Sequence, residues 1–231
     1  MTTALLSALP EEQQGLVELL QSRATRRLAG RDFHTGELWG EPVVVTLSRI
    51  GKVAAATTAT LLAECFAPRR MVFTGVAGGL APGVQVGDVV VSAALLQHDM
   101  DASPLFPRHE VPLLGLSRFA GDAALVDALV QAARTALGAA RVHQGLVVSG
   151  DRFVSSAAES LALQAGLPDA LAVDMESAAV AQVCHDYGLP FAAVRSISDR
   201  ADDTAHVDFP VFVRDVASPC AHAILAQWLR G

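Results

Sequence analysis

Apolar positions along this chain fall into short runs divided by glycine, proline and charge, and the runs alternate between two periods. Residues 3–9, mostly apolar, predict a short buried strand. Pro10 and Glu11-Glu12 follow, with Leu16, Leu19 and Leu20 behind them, and this predicts a helix, because proline and acids suit a first turn. Residues 43–47 predict another strand. Gly51 opens a helix in which Thr58, Leu61, Leu62 and Cys65 share one face, and Pro68 stops it. Residues 71–74 predict a buried strand that breaks into Gly75-Val76-Ala77-Gly78-Gly79, and residues 88–92 a further strand after Gly87. Leu125, Ala128, Leu129 and Ala132 mark a helix, and residues 145–148 a strand. The apolar strand ending at Val173 delivers Asp174-Met175-Glu176 to a helix marked by Val180, Val183, Cys184 and Tyr187 and closed by Gly188 and Pro190. Residues 191–197 are the last strand, running into Ser198-Asp199, and a final helix ends near Trp228. Strands alternating with helices predict an α/β sandwich around a largely buried sheet.

Residues 1–231 read as one domain, without repeat, linker or low-complexity tract. The least regular stretch, residues 97–119, holds Pro104, Pro107 and Pro112. A loop of that length is functional or packs against a partner.

Composition narrows the classes. The chain is 52% hydrophobic and 18% charged, yet no apolar run reaches the roughly 18 residues of a membrane span. A net charge of −7 argues against a large nucleic-acid footprint. Its first residues lack the basic region of a signal peptide. Cys65, Cys184 and Cys220 are unpatterned and read as reduced residues of a cytoplasmic protein.

Chemistry enters through acids at strand exits. Glu12, Glu176 and Asp199 each follow an apolar strand, and such exits converge on one crevice in open α/β sheets. Carboxylates delivered there suit acid–base work on a polar small molecule, which predicts an enzyme. Each acid also has a plainer reading: Glu12 as a helix-start acid, Asp199 as a turn cap, Glu176 as a solvated helix residue. The glycine cluster is not G-x-G-x-x-G, lacks the Walker Lys-Ser/Thr and precedes a strand, so dinucleotide and P-loop readings fail. His98, Asp99, Asp101 and His109 match no standard zinc spacing, and a loop-surface or interface role is expected of them. Ser149-Gly150-Asp151 has no histidine in a recognisable relation to Ser149, and glycine after serine suits a tight turn.

Taken in order, the segments resemble the 5′-methylthioadenosine/S-adenosylhomocysteine nucleosidases of the purine nucleoside phosphorylase superfamily. The matching pieces are Ala8-Leu9-Pro10-Glu11-Glu12, Ser48-Arg49-Ile50-Gly51-Lys52-Val53-Ala54-Ala55, Thr74 to Leu80, Val86 to Ser92, Gly145 to Phe153, Asp174-Met175-Glu176 and Val194 to Asp199. Each is modest alone; the ordered set is specific to the superfamily. The resemblance implies a three-layer sandwich with a central mixed β-sheet flanked by helices, no metal or organic cofactor, a nucleoside substrate and a homodimer. It further implies that Asp199, positioned by Ser198, protonates adenine N7, and that Glu12 activates water. Since a free aspartic acid titrates near ~3.9, burial or a purine-facing hydrogen bond is expected at Asp199. Glu176 would hold the ribose hydroxyls with Met175 beneath the sugar, Phe153 would stack on adenine, and backbone at Val154 and Gly78 would complete the contacts. Leu9, Ile50 and Phe209 would line the 5′-alkylthio pocket, with Leu105 and Phe106 reaching across from a second subunit.

Three departures stand out. Pro10 replaces one acid of the family's usual run, Asp174 replaces a glutamate, and residues 99–108 differ. They bear on the 5′-substituent preference. A phosphorylase using phosphate is the nearest rival, with Arg49 beside Ser48 as its anion-binding pair. A hydrolase of a futalosine-like or deoxyadenosine nucleoside is another, and a binding protein that has kept only the fold is a third.

Overall fold

The computed structural model describes residues 2–202, 212 and 218–231. In chain order its elements are β1 (Thr3–Ser7), α1 (Pro10–Gln13), β2 (Gln21–Leu28), β3 (Arg31–Leu38), β4 (Glu41–Leu47), α2 (Lys52–Phe66), β5 (Arg70–Gly79) and β6 (Val89–Gln97). After the irregular stretch come β7 (Arg118–Ala120), α3 (Ala123–Leu137), β8 (Val142–Ser149), α4 (Ala157–Gly166), β9 (Ala170–Asp174), α5 (Ser177–Asp186), β10 (Phe191–Asp199) and α6 (Ser218–Arg230).

The strands make one mixed sheet, ordered β10-β6-β8-β9-β5-β1-β4-β3-β2, with β7 on β6. β10 also pairs with β5, so β5, β10, β6, β8 and β9 close into a ring from which β1, β4, β3 and β2 extend as an open arm. Ala77, Val90, Val147, Ala172 and Ile197, one residue from each ring strand, pack together with Val84 as a single cluster. These small and β-branched side chains suit the inside of so narrow a ring. Outside, α3 and α6 pack with one face of the sheet, and α2 and α5 with the other. That is the predicted three-layer arrangement. Among the described residues no helix is long and apolar enough to cross a membrane.

Three features depart from the sequence reading. The helix expected across residues 10–20 ends at Gln13, because Gly15 adopts φ +82° and the chain turns. Leu16 and Leu20 are buried all the same, from a turn rather than a helix face, so helical spacing there reflects burial alone. The strand expected to break at Thr74 instead runs through Gly79, and its glycines are strand residues at close backbone approaches. Finally, β2 and β3 form a hairpin that no apolar run announces. β2 is the sheet edge, solvent-exposed along most of its length, and Arg23, Arg26 and Arg27 on it discourage pairing with another chain.

Candidate active site

A cavity of ≈ 360 Å³ opens where strand ends and the middle of β5 meet. Leu9 and Glu12 come from the β1 exit, Ile50 from the β4 exit, and Val76, Ala77 and Gly78 from β5. Arg152, Phe153 and Val154 come from the loop after β8, Asp174, Met175 and Glu176 from the end of β9, and Ser198 and Asp199 from the end of β10. Ten of the eleven predicted site residues therefore line one space. The eleventh, Phe209, lies outside the described residues. Leu105 is 84% exposed on the irregular segment and does not border the cavity of its own chain.

Glu12 sits in the single turn of α1, which Pro10 starts, and is buried at 4% exposure. Its Oε2 accepts the Ala8 and Leu9 amides at 2.7 and 3.0 Å, and its Oε1 accepts the Val76 amide at 3.0 Å. These bonds fix both oxygens from the backbone just after β1 and from β5. Burial raises its pKa above the ordinary value, and the Arg195 charge and the three amides pull the other way.

Glu176, also buried, accepts the Gly51 amide on Oε1 at 2.9 Å. Burial and then the neighbouring Asp174 charge push its carboxyl up to about 7, against the opposing pull of Arg195 and the Gly51 amide. A carboxyl poised there changes charge near neutral pH.

Asp199 is 2% exposed at the last position of β10. Ser198 Oγ donates to its Oδ2 at 2.8 Å and the Ala201 amide to its Oδ1 at 2.7 Å. A β-bulge between Ile197 and Asp199 shifts the register against β5, so that Asp199 faces Gly78. A Cβ at Gly78 would lie 2.9 Å from Ala201 Cβ and 3.0 Å from Asp199 Oδ1. Glycine is required there by the approach of the acid.

Two residues given no role by sequence reasoning stand behind these acids. Arg195, 1% exposed in the middle of β10, donates from Nε to Asp174 Oδ2 at 2.8 Å and from Nη2 to Ser177 Oγ at 2.7 Å. Its guanidinium lies over the Phe73 ring, 4.1 Å from the centroid. Asp174 is the hub: its Oδ1 accepts Ser149 Oγ at 2.5 Å and the Glu176 and Ser177 amides at 3.2 Å, and its Oδ2 also accepts Ser177 Oγ. The signal for Arg195 was present, since an arginine directly after the apolar run Phe191-Ala192-Ala193-Val194 in a buried strand must be buried with a partner. A Cβ at Gly75 would collide with that guanidinium and with Glu12 Oε1, which shows how closely Arg195 and Glu12 meet across β5.

The remaining sequence candidates fall elsewhere. Ser149 Oγ is spent on Asp174 and on the Ala178 amide, so it serves the hub rather than acting as a nucleophile. Arg49 points away: its Nη2 donates to Gly30 O at 2.6 Å, and it does not line the cavity. Among the described residues, no three His, Cys, Asp or Glu side chains group as a metal ion would require.

The profile of the phosphorylase superfamily matches residues 2–230. The 5′-methylthioadenosine/S-adenosylhomocysteine nucleosidase of Shewanella denitrificans is 36% identical over 228 residues, covering 98% of each chain. A crystal structure of the nucleosidase of that name from Neisseria meningitidis, in complex with methylthio-immucillin-A, superposes with a TM-score of 0.94 at 37% identity, covering 99% of this chain and 98% of that one. The futalosine hydrolase of Helicobacter pylori strain 26695 superposes with a TM-score of 0.90 at 31% identity, covering 98% of this chain and 97% of that one. A closed ring with an open arm, three buried acids at its strand ends, and relatives matched end to end lead to one conclusion: the chain belongs to the 5′-methylthioadenosine/S-adenosylhomocysteine nucleosidase family of the phosphorylase superfamily.

Proposed function

We propose that the protein hydrolyses the N-ribosidic bond of 5′-methylthioadenosine, S-adenosylhomocysteine or both, releasing adenine. The observation that carries this reading is the convergence of buried Glu12, Glu176 and Asp199 on one largely apolar cavity beside Phe153. Asp199 gives a proton to adenine N7 as the bond to C1′ lengthens, so that the purine leaves neutral. The sugar passes through an oxocarbenium-like state, by the same logic as glycoside hydrolysis. Glu12 accepts a proton from water as the water oxygen bonds to C1′; burial makes it a stronger base than a free glutamate. Glu176 accepts hydrogen bonds from the ribose hydroxyls above Met175. Phe153 stacks on the purine, with Val154 and Gly78 offering backbone contacts. Leu9 and Ile50 form the apolar wall for the 5′-substituent.

Water rather than phosphate is the nucleophile. Glu12 at that position repels an anion, and Arg49 is engaged with Gly30 O away from the cavity. We further propose a homodimer working in the cytoplasm, in methionine salvage. Leu105 and Leu113, 84% and 95% exposed on the irregular segment, support a partner surface, and three unpaired cysteines support a reducing compartment. A second reading, hydrolysis of a futalosine-like nucleoside, is favoured specifically by the likeness to the Helicobacter futalosine hydrolase.

The test is release of the free purine: adenine from 5′-methylthioadenosine in phosphate-free buffer, repeated with phosphate, then adenine from S-adenosylhomocysteine and hypoxanthine from futalosine. Release without phosphate, giving free methylthioribose, supports the proposal. Strict phosphate dependence with a sugar 1-phosphate product overturns it in favour of a phosphorylase.

A further inference from the structure

The motif His98-Asp99 is absent from the cavity lining, yet Asp99 bonds Lys52 and Asp151, which lie close in sequence to the lining residues Ile50 and Phe153. Asp99 Oδ1 accepts Lys52 Nζ at 2.6 Å, and its Oδ2 accepts the Asp151 amide at 2.9 Å. Asp151 in turn accepts the Lys52 amide on Oδ1 at 2.7 Å. One residue back, the Gly51 amide holds Glu176 at 2.9 Å. Two residues on from Asp151, Phe153 lines the cavity. The amides opening α2, a helix with no acid of its own in its first turn, are thus filled by two carboxylates from other elements.

His98 adds a second seat. Its amide donates to Ser149 O at 2.9 Å, and its ring packs where a Cβ of Gly150 would stand. Lys52 Nζ also reaches Gln97 Oε1 at 3.1 Å, and Gln97 donates to Gln182 on α5 at 2.7 Å. Burial pushes the Asp99 carboxyl upward, but the Lys52 hydrogen bond and the Asp151 amide outweigh it, so Asp99 stays a carboxylate.

We propose that Asp99 is a positioning residue that ties the donor of Glu176 at the start of α2 to the loop carrying Phe153, so that the sugar and purine ends of the site hold one register. The inference rests on the nucleosidase reading above. An acid outside the cavity matters because a misplacement of about 1 Å in such a site costs on the order of a hundredfold in rate.

The experiment measures kcat and KM for 5′-methylthioadenosine, together with the Kd of free adenine, in wild type, Asp99→Ala, Asp99→Asn, Glu176→Gln, Phe153→Ala and the pairs Asp99→Ala/Glu176→Gln and Asp99→Ala/Phe153→Ala. Expected for Asp99→Ala are a KM and an adenine Kd raised on the order of tenfold, with both pairs less impaired than the product of their single effects. Asp99→Asn keeps one acceptor and should recover part of the loss. Unchanged KM and Kd, or effects that multiply independently in both pairs, would overturn the inference, even if Asp99→Ala melts at a lower temperature. Lys52→Met supplies the same reading from the other side should Asp99→Ala fail to fold. If wild type releases no adenine, the nucleosidase reading fails instead, and the adenine Kd decides the positioning role; no adenine binding at all would sink both.

Discussion

At the scale of single residues, the three acids differ in how they are held, and each difference carries a prediction. Asp199 is fixed by a side-chain hydroxyl and a backbone amide, and Glu12 by three amides. Asp199→Asn should lower kcat by about 10²–10⁴-fold, the usual worth of a general acid, while adenine still binds. Glu12→Gln should fall by a similar factor, and its amide should lose one of the acceptor sites that the backbone now fills, so its melting temperature should fall too. Adenine release by stopped assay and thermal melts check both; parental turnover in either variant would remove that acid from its role. Glu176 carries the pH dependence. Its folded pKa of about 7 is raised above the ordinary 4.5, so folding favours its protonated form. Its contribution to stability is whole below pH 4.5 and is lost as pH climbs through about 7. Wild type should therefore lose melting temperature between pH 5 and 8 more steeply than Glu176→Gln, measured across a buffer series. Equal slopes would show that burial does not hold the proton there.

At the scale of elements, β5 joins the ring to the arm through β1, and it pairs in parallel with β10 along Phe191 to Asp199. Arg195 crosses that seam to Asp174 at the end of β9, both side chains being nearly inaccessible. Arg195→Met would strand the Asp174 carboxylate without its cation, a loss of about 3–5 kcal/mol by comparison with other broken buried pairs. Urea unfolding should show it, along with reduced turnover, because the charge facing Glu12 and Glu176 is removed. A stability loss under about 1 kcal/mol would mean that Ser149 and Ser177 satisfy Asp174 unaided. The strands that build this seam were legible as apolar runs, as were α2, α3 and α5 from their spacing. So was the placement of Glu12, Glu176 and Asp199 at strand ends. What escaped did so for physical reasons. The β2–β3 hairpin has one edge in water, and Arg23, Arg26 and Arg27 leave no apolar alternation to read. β5 hides its length behind glycines that Arg195, Glu12 and Asp199 require to be small. α4 did carry a legible mark: Ser156 and Glu159 stand at capping-box spacing, and Ser156 Oγ accepts the Glu159 amide at 3.2 Å. The motif at His98-Asp99 was visible only as titratable residues in a loop, since its partners Lys52 and Asp151 lie 47 and 52 positions away.

At the scale of the whole molecule, the cavity opens to solvent where its lining residues Ile50 and Phe153 are 56% and 39% exposed. Val53, 78% exposed in the first turn of α2, continues that apolar rim. Leu105 and Leu113 extend from the irregular segment into solvent at 84% and 95%. Scattered exposed leucines are ordinary on a monomer, but here they accompany a cavity with an exposed apolar rim. A second copy would remedy both by covering the rim and contributing its own irregular segment to the open side. Leu113→Asp tests this, because it places a charge on the exposed segment without touching any cavity residue of its own chain. Light scattering after size exclusion should give a dimer mass for wild type and a monomer for the variant, with unchanged circular dichroism. If the partner completes the alkylthio wall, KM for 5′-methylthioadenosine should rise with monomerisation while free adenine, which needs only the inner cavity, binds as before. A monomeric wild type, or a monomeric variant with parental KM, would show that one chain suffices for the whole site.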